Sequence, residues 1–462
     1  MLTWFKSILF LTLIQIITVS YSDLVNIQYP YQNLLLLFAY KNFSFRNPSN
    51  GQDNVSQNTT ETKLLSFKSD EDIEEVFTYP NIIETLSHDT ASVANGMNKF
   101  AIEFYNKLVK ENSDQNAIIS PFSIFTILAT IYAGSSNQTA DELLSTLKLN
   151  NLNDSQIING LQEIIDLLLT DIGSENKLNI TNLILFDKSF NLSKVYEARV
   201  KSTYKTKLEK VDFGANSSMK SINDYVSSLT HGNIKNLLAN EPDSLTKLIL
   251  TSVIHYQGKW FETFEPKFTS ESIFTNSNGS ESTVQMMKIT TKMFIYCHKI
   301  TEICAIELLY SGGALGFLIL IPRHHSDLNF VESNLSPEFI QMLLNRLEER
   351  TIEFGLPRFE ISGDYNLQVV LESMGIKSMF SSEQADLSQM GSDERNLFVK
   401  DVHHKSLLKV TEEGTLASGA TVAVIGNRIG SPRFFIDKPF LFLIRDLRTN
   451  VILFMGRILS FP

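Results

Sequence analysis

The chain has 462 residues, 43% of them hydrophobic and 20% charged, and a formal net charge of −11 at pH 7. It is long enough to bury a large core, with two or three domains as the prior. The acidic balance excludes general nucleic-acid binding, because phosphate contacts require a surplus of Lys and Arg.

Residues 1–22, "MLTWFKSILFLTLIQIITVSYS", combine one early lysine, an apolar run from Ile8 to Val19 and the small residues Ser20 and Ser22. That is the pattern of a cleaved secretory signal peptide, and the uncharged run is short for a bilayer. A soluble, secreted, extracellular product without a membrane span is therefore expected. Residues 23–91 read as a flexible polar and acidic extension. "NPSNGQDNVSQNTTET" is rich in turn formers, and "SDEDIEEVFTYP" places five acids within positions 70–75. Such segments cannot bury enough apolar surface to fold. The acidic run is read as solvated charge. Eight Asn-x-Ser/Thr triplets make Asn42, Asn54, Asn58, Asn137, Asn179, Asn191, Asn216 and Asn278 glycosylation candidates.

From Ser92 to residue 462 the pattern is that of a folded domain. "ASVANGMNKFAIEFYNKLVKE" spaces Met97, Phe100, Ile102, Phe104 and Leu108 roughly on one helical face, and "SPFSIFTILATIYAGS" predicts a more buried helix opened by Ser120-Pro121. "TADELLSTLKL" and "IINGLQEIIDLLLTDI" continue the helical series. Strands follow: "KLNITNLILF", "KLILTSVIHYQGKW", "ALGFLILIPR", "TIEFGLPRFEIS", then "PFLFLIRD" and "NVILFMGRIL" as an apolar hairpin around "LRTN". Helices gather early and strands late, so the class is α+β. Cys297 and Cys304 flank "HKITEI" between two strand-like runs. Both a bridged hairpin and two free thiols fit that spacing, and two cysteines cannot build a disulfide scaffold.

No G-x-S-x-G, H-E-x-x-H or P-loop is present. His403 and His404 are adjacent, and on a strand adjacent side chains point to opposite faces, so the pair cannot chelate a metal. The sequence thus reads as a non-enzyme with no catalytic residues, metal or cofactor.

Near the C-terminus, "EEGTLASGATVAVIGNRIGSP" (412–432) follows two acids and a glycine with very small residues and ends with Arg428. "KVTEEGTLASGAT" (409–421) resembles the reactive-loop hinge of inhibitory serpins, and "FFIDKPFLFLIRDLRTNVILFMGRIL" (434–459) resembles the C-terminal signature of that family. "NAIISPFSI" (116–124), "INDYVSSLTHGNIKNLL" (222–238), "HYQGKW" (255–260), "VQMMK" (284–288) and "LPRFEISGDYNL" (356–367) are similar to further family segments in the same order. The resemblance covers about residues 92–462.

It implies three β-sheets, eight or nine helices and an exposed reactive-centre loop. It also implies a suicide inhibitor whose cleaved loop inserts into the main sheet. Serpin loop insertion is a standard example of strand addition that releases stored strain. In an inserting strand alternate side chains face inward. Here those are Thr415, Ala417, Gly419 and Thr421, after Glu412, Glu413 and Gly414 at the hinge, and all four are small. A bulky or charged residue there would be buried on entry and would slow insertion. Fourteen residues beyond Gly414 stands Arg428, and ten more reach Lys438. By the family's spacing this assigns Arg428–Ile429 as the bait bond, an arginine suited to the carboxylate-floored pocket of a trypsin-like protease. "NR-IG" resembles the activation bond of a trypsin-like zymogen, which leaves two targets open, a protease that activates a downstream zymogen or any trypsin-like protease; an extracellular cascade of immune, melanisation or clotting type is the expected context.

The resemblance also assigns Ser120, Ser123, Ser252 and His404 to the shutter under the opening sheet, with Ser252 where the family usually has asparagine. That substitution puts the family's usual hydrogen bond to His404 in question, with a water as one possible replacement. Arg358, Glu412 and Trp260 match the breach at the top of the sheet. The fourth helix carries Glu163, Asp166 and Asp171 without Lys or Arg, which argues against heparin binding there. The expected partner is one protease in a 1:1 covalent complex, and the protein is a monomer before that. A non-inhibitory carrier or chaperone of the same fold is the alternative reading, and the small inward hinge residues speak against it.

Overall fold

The computed structural model describes residues 86–462 apart from 171, 174, 216, 231, 233, 234, 244, 245, 324–326, 392–396 and 415–431. Residues 1–85, which hold the segment read as a signal peptide and most of the segment read as an extension with Asn42, Asn54 and Asn58, and also Asp171 and Asn216, lie outside the described residues. So do Thr415, Ala417, Gly419, Thr421, Arg428 and Ile429.

Helix α1 (His88–Glu111) begins ahead of the boundary read at residue 92, because Ser87 caps it by accepting from the Thr90 amide. It buries Val93, Met97, Phe100, Phe104 and Leu108 along one face. Strand β1 (Ala117–Ile119) leads into α2 (Pro121–Tyr132), where Ser120 is the cap and proline opens the first turn. Every α2 residue from Pro121 to Ile131 is buried, so the helix lies inside the domain. Helices α3 (Asn137–Thr146) and α4 (Asp154–Thr170) follow.

Five strands form the main sheet: β2 (Lys177–Asp187), β3 (Lys207–Val211), β4 (Leu248–Gln257), β10 (Phe359–Asn366) and β11 (Asp401–Val410). Their order is β10-β11-β4-β2-β3. Helix α5 (Lys194–Arg199) and a π-helical turn (Val200–Tyr204) precede β3. Helix α6 (Ser218–Leu229) lies on the sheet's outer face. Its Ile222 and Val226 pack on Leu183 and Leu185 of β2 and on Ile249 and Val253 of β4. Asn223 fastens the chain beyond α6, accepting from the Leu237 and Leu238 amides and donating to the Leu238 carbonyl.

The other hydrogen-bonded system contains β5 (Ser270–Thr275), β6 (Glu281–Cys297), β7 (Ile303–Leu309), β8 (Leu315–Pro322), β9 (Glu348–Pro357), β12 (Arg433–Phe435), β13 (Phe440–Asp446) and β14 (Ile452–Ile458), with β1 at one edge. The long β6 pairs with β5 and β9, and through Phe294–Cys297 it pairs with β7. The second and third of the three expected sheets are therefore continuous through this strand. "TIEFGLPRFEIS" does not form one strand. The chain leaves the larger sheet after Pro357 and enters the main sheet at Phe359, because proline has no amide to continue the ladder. With α7 (Leu328–Ser333), α8 (Pro337–Leu344) and α9 (Gln368–Ser373), nine α-helices stand among the described residues, and the architecture is α+β.

The β13–β14 hairpin read as apolar also carries cations into the core. Arg445 pairs with Glu307 at 2.7 Å and Arg457 with Glu332 at 3.1 Å, all four side chains being buried. Each partner satisfies a charge that would otherwise be costly to desolvate.

Candidate functional site

The candidate site is the seam between β4 and β11, with the polar groups beneath it and the hinge above it. Burial alternates along β11, with Val402, His404 and Ser406 turned into the core and His403 and Lys405 to the other face. His404 Nε2 accepts the Ser120 amide at 3.0 Å, which places the ring proton on Nδ1. Nδ1 lies 3.1 Å from the Ser252 carbonyl and 3.2 Å from its hydroxyl. Ser252 thus reaches His404 directly, so the hydrogen bond that the sequence put in question is present and needs no water. Burial drives the His404 pKa down to about 3, against the smaller opposing effect of the hydrogen bond to Ser252.

The same network ties α2 to the sheet. The Ser123 hydroxyl lies 2.5 Å from that of Ser252 and donates to Asn182 Oδ1 at 2.8 Å. The Ser120 hydroxyl donates to the Leu453 carbonyl at 2.6 Å. Asn182 was missed by sequence reasoning. It stands on β2 among the inward positions Ile180, Ile184 and Phe186. A polar residue in the middle of an inward apolar set is the signal that identifies it.

At the top of the seam the strands separate. β11 and β4 pair in parallel from Asp401↔Ile249 to Leu407↔His255, so the last three residues of β11 have no partner on β4. Trp260 fills the space above. It is 1% exposed, stacks on Tyr310 at 4.6 Å and meets Phe317 and Phe264 edge-on. Its Nε1 donates to the Thr411 carbonyl at 2.9 Å. The Trp260 and Phe264 amides donate to the carbonyls of Glu413 and Glu412 at 3.0 and 2.8 Å. Arg358 Nη1 lies 3.7 Å from Glu412 Oε1, which also accepts from Thr269 at 2.9 Å.

The hinge leaves this anchorage through a turn in which Thr411 and Gly414 exchange backbone hydrogen bonds. Gly414 has φ +117°, and a Cβ there would come within 2.3 Å of the Gly258 carbonyl and 2.6 Å of the Trp260 amide. Only glycine satisfies both the dihedral and the space. Ser120, Ser123, Ser252 and His404 therefore form one cluster. Arg358, Trp260, Glu412, Glu413 and Gly414 form a second at the upper end of the same seam.

The remaining candidate positions lie away from the seam. Asn137, Asn179, Asn191 and Asn278 are exposed. Cys297 and Cys304 face each other across β6 and β7 and are joined by a disulfide. On α4, Glu163 accepts from Ser87 and Thr90, and Asp166 pairs with Lys205 at 3.4 Å. No group of three His, Cys, Asp or Glu side chains among the described residues is arranged to hold a metal ion. No helix among them is long and apolar enough to cross a membrane.

A two-cluster seam beneath a departing hinge defines the class, and comparison with known proteins gives the family. The family model described as serpin (serine protease inhibitor) matches residues 95–461. Serpin B6 from Pongo abelii is 34% identical over 385 residues, covering 80% of this chain and 100% of its own. Antithrombin-III from Homo sapiens is 30% identical over 388 residues, covering 82% of this chain and 83% of its own. A crystal structure of human thyroxine-binding globulin with its hormone superposes with a TM-score of 0.74 at 25% identity, covering 80% of this chain and 99% of that one. The chain belongs to the serpin family.

Proposed function

We propose that this serpin is a secreted suicide inhibitor of trypsin-like serine endopeptidases, acting in an extracellular proteolytic cascade, with Arg428–Ile429 as the bait bond. The observation that carries the reading is the β4–β11 seam. It is a parallel pair, open at its upper end, where the hinge departs from β11. A chain turning back from β11 runs antiparallel to both neighbours. Its entry replaces one parallel ladder with two antiparallel ones, which are somewhat more stable per residue. The small residues Thr415, Ala417, Gly419 and Thr421 can pass inward without displacing the buried cluster around His404.

The chemistry belongs to the protease. Its serine oxygen attacks the Arg428 carbonyl carbon, the bond to the Ile429 nitrogen breaks, and that nitrogen takes a proton from the protease's general acid. Arg428 is left as an ester on the protease. Insertion then has to outrun hydrolysis of that ester. The inhibitor supplies the bait, the hinge and the stored strain, and no catalytic group.

The test is a denaturing gel of the protein mixed with trypsin. A stable band near the summed mass, absent for Arg428→Ala, is the expected result. Cleaved chain with no adduct overturns the inhibitory reading in favour of a carrier or chaperone.

A further inference from the structure

The turn between β6 and β7 presents Ile300 at 88% exposure, the highest of any large apolar side chain among the described residues. A solitary exposed apolar residue needs no explanation by itself. This one stands on a tip that is held rigid. The Cys297–Cys304 disulfide staples the base of the turn. Within it the His298 amide donates to the Ile303 carbonyl at 2.9 Å and the Glu302 amide to the His298 carbonyl at 2.9 Å. The Thr301 amide donates to His298 Nδ1 at 3.2 Å, and the His298 ring meets Phe339 of α8 edge-on. Lys299 is exposed beside Ile300. Order of this kind, fixed before any encounter, lowers the entropy cost of docking.

Arg323, just beyond β8, joins this tip to β12. Its amide donates to the Glu302 carbonyl at 2.8 Å, its Nη1 lies 3.9 Å from Cys297 Sγ, and its guanidinium lies over the Phe434 ring at 6.0 Å. The cations closer to β9 are already matched: Lys292, Arg350 and Arg433 pair with Glu349, Glu348 and Glu353. Arg323 instead faces a ring and a sulfur, and its guanidinium fork is exposed. β12 is the first strand after the bait bond, and the five residues from Ile429 to Arg433 span at most about 17 Å. A protease domain of roughly 200 residues has a radius of gyration of about 16 Å. Seated on Arg428–Ile429, it extends over β12 and meets what stands beside that strand. We propose that Ile300, Lys299 and Arg323 form a ledge that docks the target protease beside its cleft, against an apolar patch flanked by carboxylates. The proposal rests on the reading of Arg428–Ile429 as the bait bond.

The experiment has two readouts on the full chain. In the first, Ile300→p-benzoylphenylalanine is irradiated in complex with an anionic trypsin whose nucleophilic serine is replaced by alanine, so that the encounter stays non-covalent. The control is Val369→p-benzoylphenylalanine, an exposed apolar position beyond the end of β10 opposite the hinge. The expected result is a crosslink to trypsin from position 300 and none from position 369. In the second, the rate of adduct formation with active anionic trypsin is measured in low salt. Lys299→Gln with Arg323→Gln should slow it roughly tenfold, with an unchanged final yield and an adduct still ending at Arg428. A cationic trypsin of the same specificity should show no such loss. Lys299→Gln alone, at an exposed position, should give a smaller loss and keep the wild-type thermal midpoint. No crosslink from position 300, or a rate unchanged in the double variant, overturns the ledge while an adduct at Arg428 leaves the bait bond standing. A crosslink from position 300 only to a second copy of this chain overturns the assignment of the partner. Failure of the unmodified protein to engage either trypsin at Arg428 overturns the bait-bond reading and the ledge with it.

Discussion

His404 gives the shutter a calculable pH response. Its pKa is about 6.5 in an unfolded chain and is lowered to about 3 by burial in the fold. As pH falls below 6.5 the unfolded chain takes up a proton that the folded chain refuses, so folding stability falls with pH across this window. The slope approaches 1.4 kcal/mol per pH unit, giving a loss of about 2 kcal/mol between pH 6.5 and pH 5. His404 is fully buried, so little solvent screening reduces that figure. His255 and His403 also have pKa values lowered, chiefly by burial, and add to the raw pH dependence. The comparison with His404→Gln removes their share, since both remain in the variant. The assay is urea unfolding followed by Trp260 fluorescence at pH 7.5, 6.5, 5.5 and 5.0 (about half a unit apart at the acid end). Wild type should lose about 2 kcal/mol more than the variant between pH 6.5 and pH 5. Parallel curves for the two proteins would refute the assigned protonation state, and with it the acceptor role of Nε2 toward Ser120.

In the breach, Arg358→Ala should cost less than about 1 kcal/mol, because its side chain is half exposed. Trp260→Ala should cost about 3–5 kcal/mol, and urea midpoints that rank the two the other way would contradict this. Gly414→Ala should lower the thermal midpoint and change the Trp260 emission, since the added methyl meets the Gly258 carbonyl and the backbone beside Trp260. Unchanged emission and midpoint would show that the turn yields without cost. In the hinge, Ala417→Glu should convert trapping into plain cleavage, because the carboxylate would be buried on insertion. A gel with trypsin that still shows full adduct would contradict the inward assignment of Ala417.

Much of this was legible in the chain. The helical spacing of Met97, Phe100 and Phe104, the Ser120-Pro121 start and the β13–β14 hairpin around "LRTN" follow from local patterns of burial and turn chemistry. Adjacent histidines on β11 could be assigned to opposite faces from the strand period alone. What stayed hidden depends on partners far apart in sequence. Asn182 meets Ser123 across 59 residues, and Arg445 meets Glu307 across 138, so neither position announces its partner. The direct contact of Ser252 with His404 depends on the strand register and on a carbonyl as well as a hydroxyl, which side-chain identity does not encode. Strand β3 was overlooked because "KLEKV" is mostly exposed and lacks clean alternation. The break at Pro357 was overlooked because apolar residues flank it on both sides.

The central claim is that Arg428–Ile429 is cleaved and the acyl-enzyme is trapped. The most direct measurement is mass spectrometry of the products after mixing with trypsin and denaturing at once. The account predicts a covalent adduct ending at Arg428, together with a released C-terminal fragment that begins at Ile429. A fragment beginning at another residue, such as Phe434 after cleavage at Arg433, would contradict the bond assignment, and a fragment beginning at Ile429 with no adduct would contradict the trapping.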